Sequence, residues 1–591
     1  MSLYYRGREY EGEQGGKSRL ADQQLLGSLW KLARPVRPLL AGAFLLMLLG
    51  TAADLVRPYM MKMAIDTYVT AKDLPGLETL FAVYMATIGL SLVLAFGENL
   101  FLQKAGQQVI FAVREKVFRH ILGQTVENLE AQPVGRLVTR VTNDTDAVKD
   151  LYTEVIVAFA SDAVMLAGII AAMLAIHWQL ALLSFAILPL MALLAAAYQR
   201  FARRAYRAVR EKTAAVNSYI QERLNGIGVI KAFGVFDVTE RGFQRVNDEY
   251  LQAGLTEMRT FAAFRPLVDL MYVLAVILVL HFSDVESRAA GIEIGTVIAF
   301  LRYMEKFFWP IKDLAEKYSL LQSALAAAER IQPMLTEPAE FDSGIAPAHR
   351  CAPARIDFDD VWFAYEENAW VLSGVTFTVP AGAFYGIAGL SGSGKTTLLS
   401  LLLRFYEPQK GRILLDGTDI REISPAVLRH RLSIVFQDVH IFKGTVAENI
   451  SLYDPKITRD RVRAAAELAN LAPFIEKMPQ GYDTQAGYLG STLSAGQRQL
   501  LSFARALATP ADVLVLDEAT SSIDSYTEAL VQTALEKAAA QRTMLVVAHR
   551  LSTIVNADRI LLMHQGRVVE QGTHTELMAI GGQYARLYEC Q

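Results

Sequence analysis

Gly389-Leu390-Ser391-Gly392-Ser393-Gly394-Lys395-Thr396 is the stretch from which the architecture of this chain unfolds. Its spacing is G-x-x-x-x-G-K-[ST], a loop whose glycines let the backbone wrap closely and aim N–H groups at phosphate oxygens. The apolar run Tyr385–Ala388 before it reads as a buried strand, and Thr397–Arg404 after it as a helix. That helix would add the positive end of its dipole, with Thr397 in the first turn. Lys395 is placed to reach terminal phosphates, and the Thr396 hydroxyl to ligate Mg²⁺. A chance glycine turn would not come with that strand and that helix.

Outward from the loop, residues 354–591 alternate short apolar runs with helical patterns, as in a soluble α/β domain. Ser433–Phe436, Val513–Leu516 and Thr543–Ala548 read as further buried parallel strands. In open α/β sheets ligands bind at the carboxyl ends of the strands, and a reactive residue follows each run. Asp517-Glu518 closes the run Val513–Leu516, the second half of a P-loop ATPase site. Asp517 would hold Mg²⁺ through water, and Glu518 would orient or deprotonate the attacking water. An adjacent acid pair is usually a solvated surface feature, but the apolar strand beneath this one points to a site. Gln437 follows the second run and would reach Mg²⁺ or the water. His549 follows the last run and would reach the γ-phosphate. Leu493-Ser494-Ala495-Gly496-Gln497 opens a helix with apolar Leu500, Leu501, Ala504 and Leu507. Ser494, Gly496 and Gln497 at that start form an anion site.

The amino-terminal half differs in kind. Long apolar stretches lie near 39–56, 80–97, 155–176, 180–199, 266–282 and 292–308. A membrane-crossing helix needs roughly 20 apolar residues; the third, fourth and fifth stretches meet this plainly. The first, second and sixth carry charges (Asp54 and Arg57; Glu98; Arg302, Glu305 and Lys306). Basic residues concentrate in two connections, from Lys104 to Lys149 and from Arg200 to Arg265, which places those segments and both termini in the cytosol. The composition agrees: 52% of 591 residues are hydrophobic and the mean hydropathy is +0.24. The net charge of −3 offers no nucleic-acid surface. Two cysteines, Cys351 and Cys590, argue against a disulfide framework, and no cleavable signal peptide is recognisable. Residues 1–24 read as a polar cytosolic tail, Leu25–Leu32 as a short interfacial helix, 25–335 as the membrane domain, and 336–353 as a Pro- and Gly-bearing linker. Intramembrane charges (Asp54, Arg57, Glu98, Asp162, Asp269) fit either a functional role or pairing between helices.

Taken together, the chain resembles the ATP-binding cassette family over nearly its whole length. Lys395 and Thr396 match Walker A, Asp517 Walker B, Glu518 the catalytic glutamate, Gln437 the Q-loop, and Leu493–Gln497 the signature. Ser521–Asp524 matches the D-loop, with Asp524 counted in the nucleotide site, and His549 the switch histidine. Tyr365 matches the aromatic that stacks on adenine, a contact worth about 1–3 kcal/mol; its other reading is a core strand residue. The membrane half resembles the exporter branch. Gly135-Arg136-Leu137 with Arg140, Asn143 and Asp144, and Glu222–Ile227 with Val229, Lys231, Ala232 and Phe233, look like its two cytosolic loops. Those loops carry coupling helices that dock on nucleotide domains, the second crossing to the partner. The resemblance implies a six-helix all-α transmembrane domain followed by an α/β P-loop domain. It implies ATP and Mg²⁺ as ligands, Glu518, His549 and Lys395 as catalytic residues, and a multi-pass place in the bacterial cytoplasmic membrane.

Two departures bear on the partner. The signature has Ala495 where the family has Gly, and the preceding loop, Thr484–Gly490, lacks the usual glutamate. A signature completes the opposite subunit's site, so any weakness falls on the partner's ATP. We therefore expect one half of a heterodimeric multidrug exporter of amphipathic molecules. The alternatives are a homodimeric lipid flippase or exporter, and an ATP-gated membrane sensor. The six spans exclude a soluble repair or translation ATPase, and the lack of any cysteine before Cys351 excludes a peptidase-bearing peptide exporter.

Overall fold

The computed structural model describes residues 34–290, 293–336, 352–366, 369–487, 490–517, 525–539, 542–548 and 550–590. The tail, the segment Leu25–Leu32, Cys351 and nearly all of the linker lie outside them. By their contacts the residues divide into two units, Met1–Leu122 with Val134–Glu337, and Gly123–Pro133 with Pro338–Gln591.

The first unit is helical. Its long helices are Arg37–Met63, Leu74–Leu122, Val157–Phe185, Leu188–Asn225, Phe236–Ala290 and Ile294–Thr336. Among the described residues, four helical runs are long and apolar enough to cross a membrane: Arg34–Val69, Leu74–Leu122, Val134–Phe185 and Phe236–Ser283. The fourth and sixth expected stretches form no such run of their own. The fourth, 180–199, is divided. His177 leaves the helical region (φ −158°, ψ 100°), and the helix that follows stops at Phe185. Leu188–Asn225 then begins with a proline in its first turn, where the missing N–H costs no hydrogen bond. The sixth stretch lies on Ile294–Thr336, whose apolar part is interrupted by Arg302, Glu305 and Lys306.

Ile169, Met173, Leu180, Val268, Val279, Phe300 and Tyr303 are buried together inside this unit. Large apolar side chains nonetheless face outward, Phe96 being 72% exposed. Such a surface is natural against lipid and unfavourable in water. Three of the intramembrane charges, Asp54, Arg57 and Asp162, form ion pairs. Arg57 meets Asp54 at 2.9 Å, and Lys317 meets Asp162 at 2.5 Å. Pairing between and along helices therefore accounts for these three span charges.

The second unit contains β1 (Ile356–Ala364), β2 (Trp370–Val379), β3 (Phe384–Gly389), β4 (Lys410–Leu415), β5 (Thr418–Asp419), β6 (Leu432–Val435), β7 (Val513–Asp517), β8 (Thr543–Val547), β9 (Arg559–His564) and β10 (Arg567–Gly572). They form an antiparallel sheet in the order β2-β1-β4-β5 and a larger one in the order β10-β9-β3-β8-β7-β6. β9, β3, β8, β7 and β6 run parallel to one another, and β10 pairs with β9 antiparallel. β7 and β8 are buried at every position, as their unbroken Val/Leu/Met runs require in the middle of a parallel sheet. Strand ends differ from expectation by a residue: Phe436 lies beyond β6 and is 46% exposed, and Ala548 lies beyond β8.

One buried ion pair ties the edge of this sheet together. Arg431 precedes β6, Asp512 precedes β7, and the Arg431 Nε–Asp512 Oδ2 distance is 2.6 Å with both side chains buried. Asp416, after β4, takes the other arm of the guanidinium. Burial alone would lower the arginine pKa, but the two carboxylates hold it above its ordinary value. Arg431→Met takes the guanidinium away from two carboxylates, one of them on the fully buried Asp512, and breaking a buried pair in this way costs about 3–5 kcal/mol. Scanning calorimetry of the full chain should show this unit unfolding roughly 6–20 °C earlier.

Candidate nucleotide site

The loop Gly389–Gly394 leaves the carboxyl end of β3 from a fully packed sheet. Gly392 and Gly394 have φ of +78° and +99°, backbone that only glycine adopts without strain. At Gly394 space forbids a side chain as well: a Cβ would sit 2.7 Å from Leu372 Cδ2 and 3.1 Å from the Val371 carbonyl oxygen. The helix begins at Lys395 rather than Thr397 and ends at Leu402. Arg404, expected to be its last residue, is left-handed (φ 51°) and lies past the end. Leu390, Ser391, Gly392 and Thr396 are exposed, whereas Ser393, Lys395 and Thr397 are buried. The Lys395 ammonium donates to the carbonyl oxygens of Gly389 and Leu390, both at 2.9 Å, and lies 3.4 Å from Ser393 Oγ. Its charge thus sits within the curl of backbone, beside the N-terminus of the helix.

Tyr365 immediately follows β1. It is 47% exposed and therefore not a core residue. Its hydroxyl shares a 3.2 Å hydrogen bond with Thr397 Oγ1, which seats the ring at the start of the loop's helix. Phe363 and Tyr406 meet the ring edge-on at centroid distances of 4.9 and 5.2 Å. Asp517 ends β7, is 7% exposed and lies between β6 and β8 in the sheet. Gln437, two residues past β6, is exposed. Glu518, Ser521–Asp524 and His549 lie outside the described residues.

Ser494 caps the helix Ala495–Ala508 through a capping box. Ser494 Oγ accepts from the Gln497 N–H at 3.2 Å, and Gln497 Oε1 accepts from the Ser494 N–H at 3.0 Å. Gln497 is thus committed to its own backbone. Gly496 is buried, and a Cβ there would lie 2.6 Å from Thr527 Oγ1. Ala495, by contrast, is exposed in the first turn, so its methyl displaces nothing in this chain. Leu500, Leu501, Ala504 and Leu507 are buried as the pattern predicts.

Three functional neighbours escaped the sequence reading. Arg505 donates to the carbonyl oxygens of Asn449 (2.9 Å) and His440 (3.0 Å), tying the Ser494 helix to the segment just beyond Gln437. Burial pushes its pKa down to about 10, which leaves it charged. A cation inside an apolar helix face was the available signal. Tyr406 donates to Glu130 Oε2 at 2.6 Å. Glu130 ends the short helix Val126–Glu130, capped by Thr125, which precedes the Gly135–Asp144 residues taken for the first cytosolic loop. Nothing in the spacing of Tyr406 and Glu130 marks them as neighbours.

The Thr396 hydroxyl, the Gln437 amide and the Asp517 carboxylate, expected from the sequence as the metal ligands, would make a hard oxygen set that suits Mg²⁺. Among the described residues no group of three His, Cys, Asp or Glu side chains forms a metal cluster.

Residues 40–311 match the family described as ABC transporter transmembrane region, and 372–521 the family described as ABC transporter. The chain is 37% identical over 523 residues to the probable multidrug resistance ABC transporter ATP-binding/permease protein YheH of Bacillus subtilis, covering 88% of this chain and 77% of that one. It is 33% identical over 574 residues to the ATP-dependent lipid A-core flippase of Desulfotalea psychrophila, covering 97% and 100%. A solved bacterial Atm1-family ABC exporter with ATP bound superposes with a TM-score of 0.80 at 26% identity, covering 94% of this chain and 98% of that one.

Proposed function

We propose, from the premise that this chain belongs to the ABC transporter family and is an exporter whose ATP hydrolysis is coupled to transport, that it moves amphipathic small molecules out through the cytoplasmic membrane as one half of a heterodimer. The observation that carries the nucleotide site is the glycine loop closed on the buried Lys395 ammonium, with Tyr365 half-exposed above the loop's helix. In this reading adenine stacks on Tyr365, and the N–H groups of 389–397 and Lys395 hold the phosphates. Thr396, Gln437 and Asp517 would hold Mg²⁺, which when bound offsets phosphate charge. Glu518 activates the attacking water, with His549 near the γ-phosphate and Asp524 at the facing subunit. Ser494, Gly496 and Gln497 face the partner's ATP. The domain limits 25–335 and 354–591, and the cytosolic placement of both termini, belong to the same proposal.

Support for two unlike halves comes from Ala495. Because its methyl points to solvent, any effect it has is on what docks there, not on this chain's packing. Val229 and Phe233, 61% and 77% exposed on the short helix Ile227–Phe233, suit docking on a partner. The test is the vanadate-sensitive ATPase rate and particle mass of the chain purified alone in detergent. An inactive or monomeric particle is the expected result. An active particle of twice the chain mass would establish a homodimer and set the heterodimer aside. A lipid flippase is the second reading, favoured by the likeness to a lipid A-core flippase over the whole of that protein; lipid translocation in proteoliposomes separates the two.

A further inference from the structure

We infer that one face of the helix Leu188–Asn225 is a binding site for the headgroups of anionic phospholipids, formed by Arg200, Arg203, Arg204, Arg207 and Arg210. The inference rests on the proposed cytosolic placement of the connection from Arg200 to Arg265. At about 100° per residue the five arginines fall within about 120° of one another, and they run along the helix for about 15 Å. All five are exposed. Among the described residues none of the five guanidinium groups has a carboxylate partner. Cations further along the helix are paired: Lys212 meets Glu249 at 2.8 Å, and Arg223 meets Glu222 at 3.8 Å. The opposite face of the helix carries the packing. Ala202 and Ala205 are buried there, and Tyr198 stacks on Phe264 of the helix Phe236–Ala290 at 3.9 Å. The arginines therefore hold nothing together within the described part of this chain.

What stands before and beside the stripe identifies its occupant. On the same face, Leu193, Ala196 and Ala197 precede it, all exposed. The face thus changes from exposed apolar side chains to exposed guanidinium groups within one turn, as a helix does where it leaves hydrocarbon and meets headgroups. Phe201 and Tyr206, 61% and 51% exposed, flank the stripe on its two sides, as aromatic rings do at that level. A cytosolic charge bias alone asks for cations anywhere on the connection and does not gather them on one face. Nor does it select among cations, and all five are arginine. A planar guanidinium fork matches the two free oxygens of a phosphodiester. A basic cluster of this size next to a membrane-crossing segment is what anionic headgroups bind. The headgroup layer is about 5–8 Å deep. The first four arginines, with their long side chains, cover it, and Arg210 lies past it.

Native mass spectrometry of the full chain in a neutral detergent, titrated with phosphatidylglycerol or with phosphatidylcholine of equal chain length, reads this directly. Arginines near a headgroup layer contribute about fivefold each, so the wild type should prefer phosphatidylglycerol by roughly a hundredfold. The triple variant Arg203→Gln, Arg204→Gln, Arg207→Gln should keep its phosphatidylcholine affinity and lower the preference to within about fivefold. Replacing the same three by lysine, which keeps the charge on the same face, should restore at least about a tenfold preference. Arg210→Gln alone should change it by less than about twofold, because the charge lies beyond the headgroups. An unchanged preference in the glutamine triple would overturn the inference. So would an equal loss in the lysine triple, which would trace the effect to the helix and not to its charge. Dissociation of the particle with the lipid preference intact would overturn it as well, marking the face as a protein interface. The topology beneath is tested separately. Gln221→Cys, in a chain with Cys351→Ser and Cys590→Ser, should react with a membrane-impermeant maleimide in inverted vesicles and not in intact cells. Labelling from the outer side would reject the cytosolic placement, whatever the lipid preference.

Discussion

Lys395→Ala should reduce vanadate-sensitive ATP hydrolysis of the assembled transporter by at least about a hundredfold and weaken ATP binding with it. The ammonium is buried and already committed to the loop by bonds to the Gly389 and Leu390 carbonyls. It therefore supplies fixed positive charge where phosphate oxygens would arrive, with little reorganisation. Removing one such preorganised group costs about 10²–10³ in rate. The truncation also strips two carbonyl oxygens of their donor, at about 1–3 kcal/mol, so the thermal midpoint must be recorded beside the rate. Lys395→Arg separates the effects, because it restores charge and donors without the compact ammonium. A rate within a few-fold of wild type in Lys395→Ala would remove this loop from the catalytic site.

Glu518→Gln should have an equally large effect on turnover with a different signature. The exchange keeps size and hydrogen bonding but removes the group that accepts a proton from water, and losing a general base costs about 10²–10⁴. Binding should survive, so a fluorescent ATP analogue would bind Glu518→Gln near the wild-type affinity while hydrolysis at this site stops. Loss of binding and turnover in one variant, and of turnover alone in the other, assigns the two roles. Hydrolysis that persists in Glu518→Gln would mean that another group activates the water.

How far the sequence could be read depended on whether each feature is local. The phosphate loop is local: strand, glycines, lysine and helix are consecutive, and residue type alone limits the backbone at Gly392 and Gly394. The capped helix at Ser494 was legible for the same reason, since its cap and apolar face fall within fourteen residues. The parallel strands announced themselves by continuous burial. The antiparallel sheet did not. β1, β2 and β4 alternate buried and part-exposed positions with register shifts, and Tyr365 could be placed relative to the loop only by family likeness. The inner division of the fourth stretch was not legible, because apolar residues carry no record of where a helix breaks. The stop at Phe185 and the restart before Pro189 are backbone events inside 180–199, whereas the break at His177 falls in the gap between the third and fourth stretches. Ion pairs such as Asp162–Lys317, 155 residues apart, and Arg431–Asp512, 81 apart, are invisible to any window-based reading.

The placement of Val126–Glu130 within the second unit has a bearing on biosynthesis. Glu130 and its hydrogen-bond donor Tyr406 are 276 residues apart in sequence. At about 5–20 residues per second of synthesis, the helix leaves the ribosome roughly 14–55 seconds before the aromatic cluster it binds. Throughout that interval it has no docking surface, while the membrane helices on either side are already inserting. A fragment that begins at the linker would expose the surface this helix covers, and a pause in translation between the two halves would prolong the interval in which chaperones or other nascent chains compete for it.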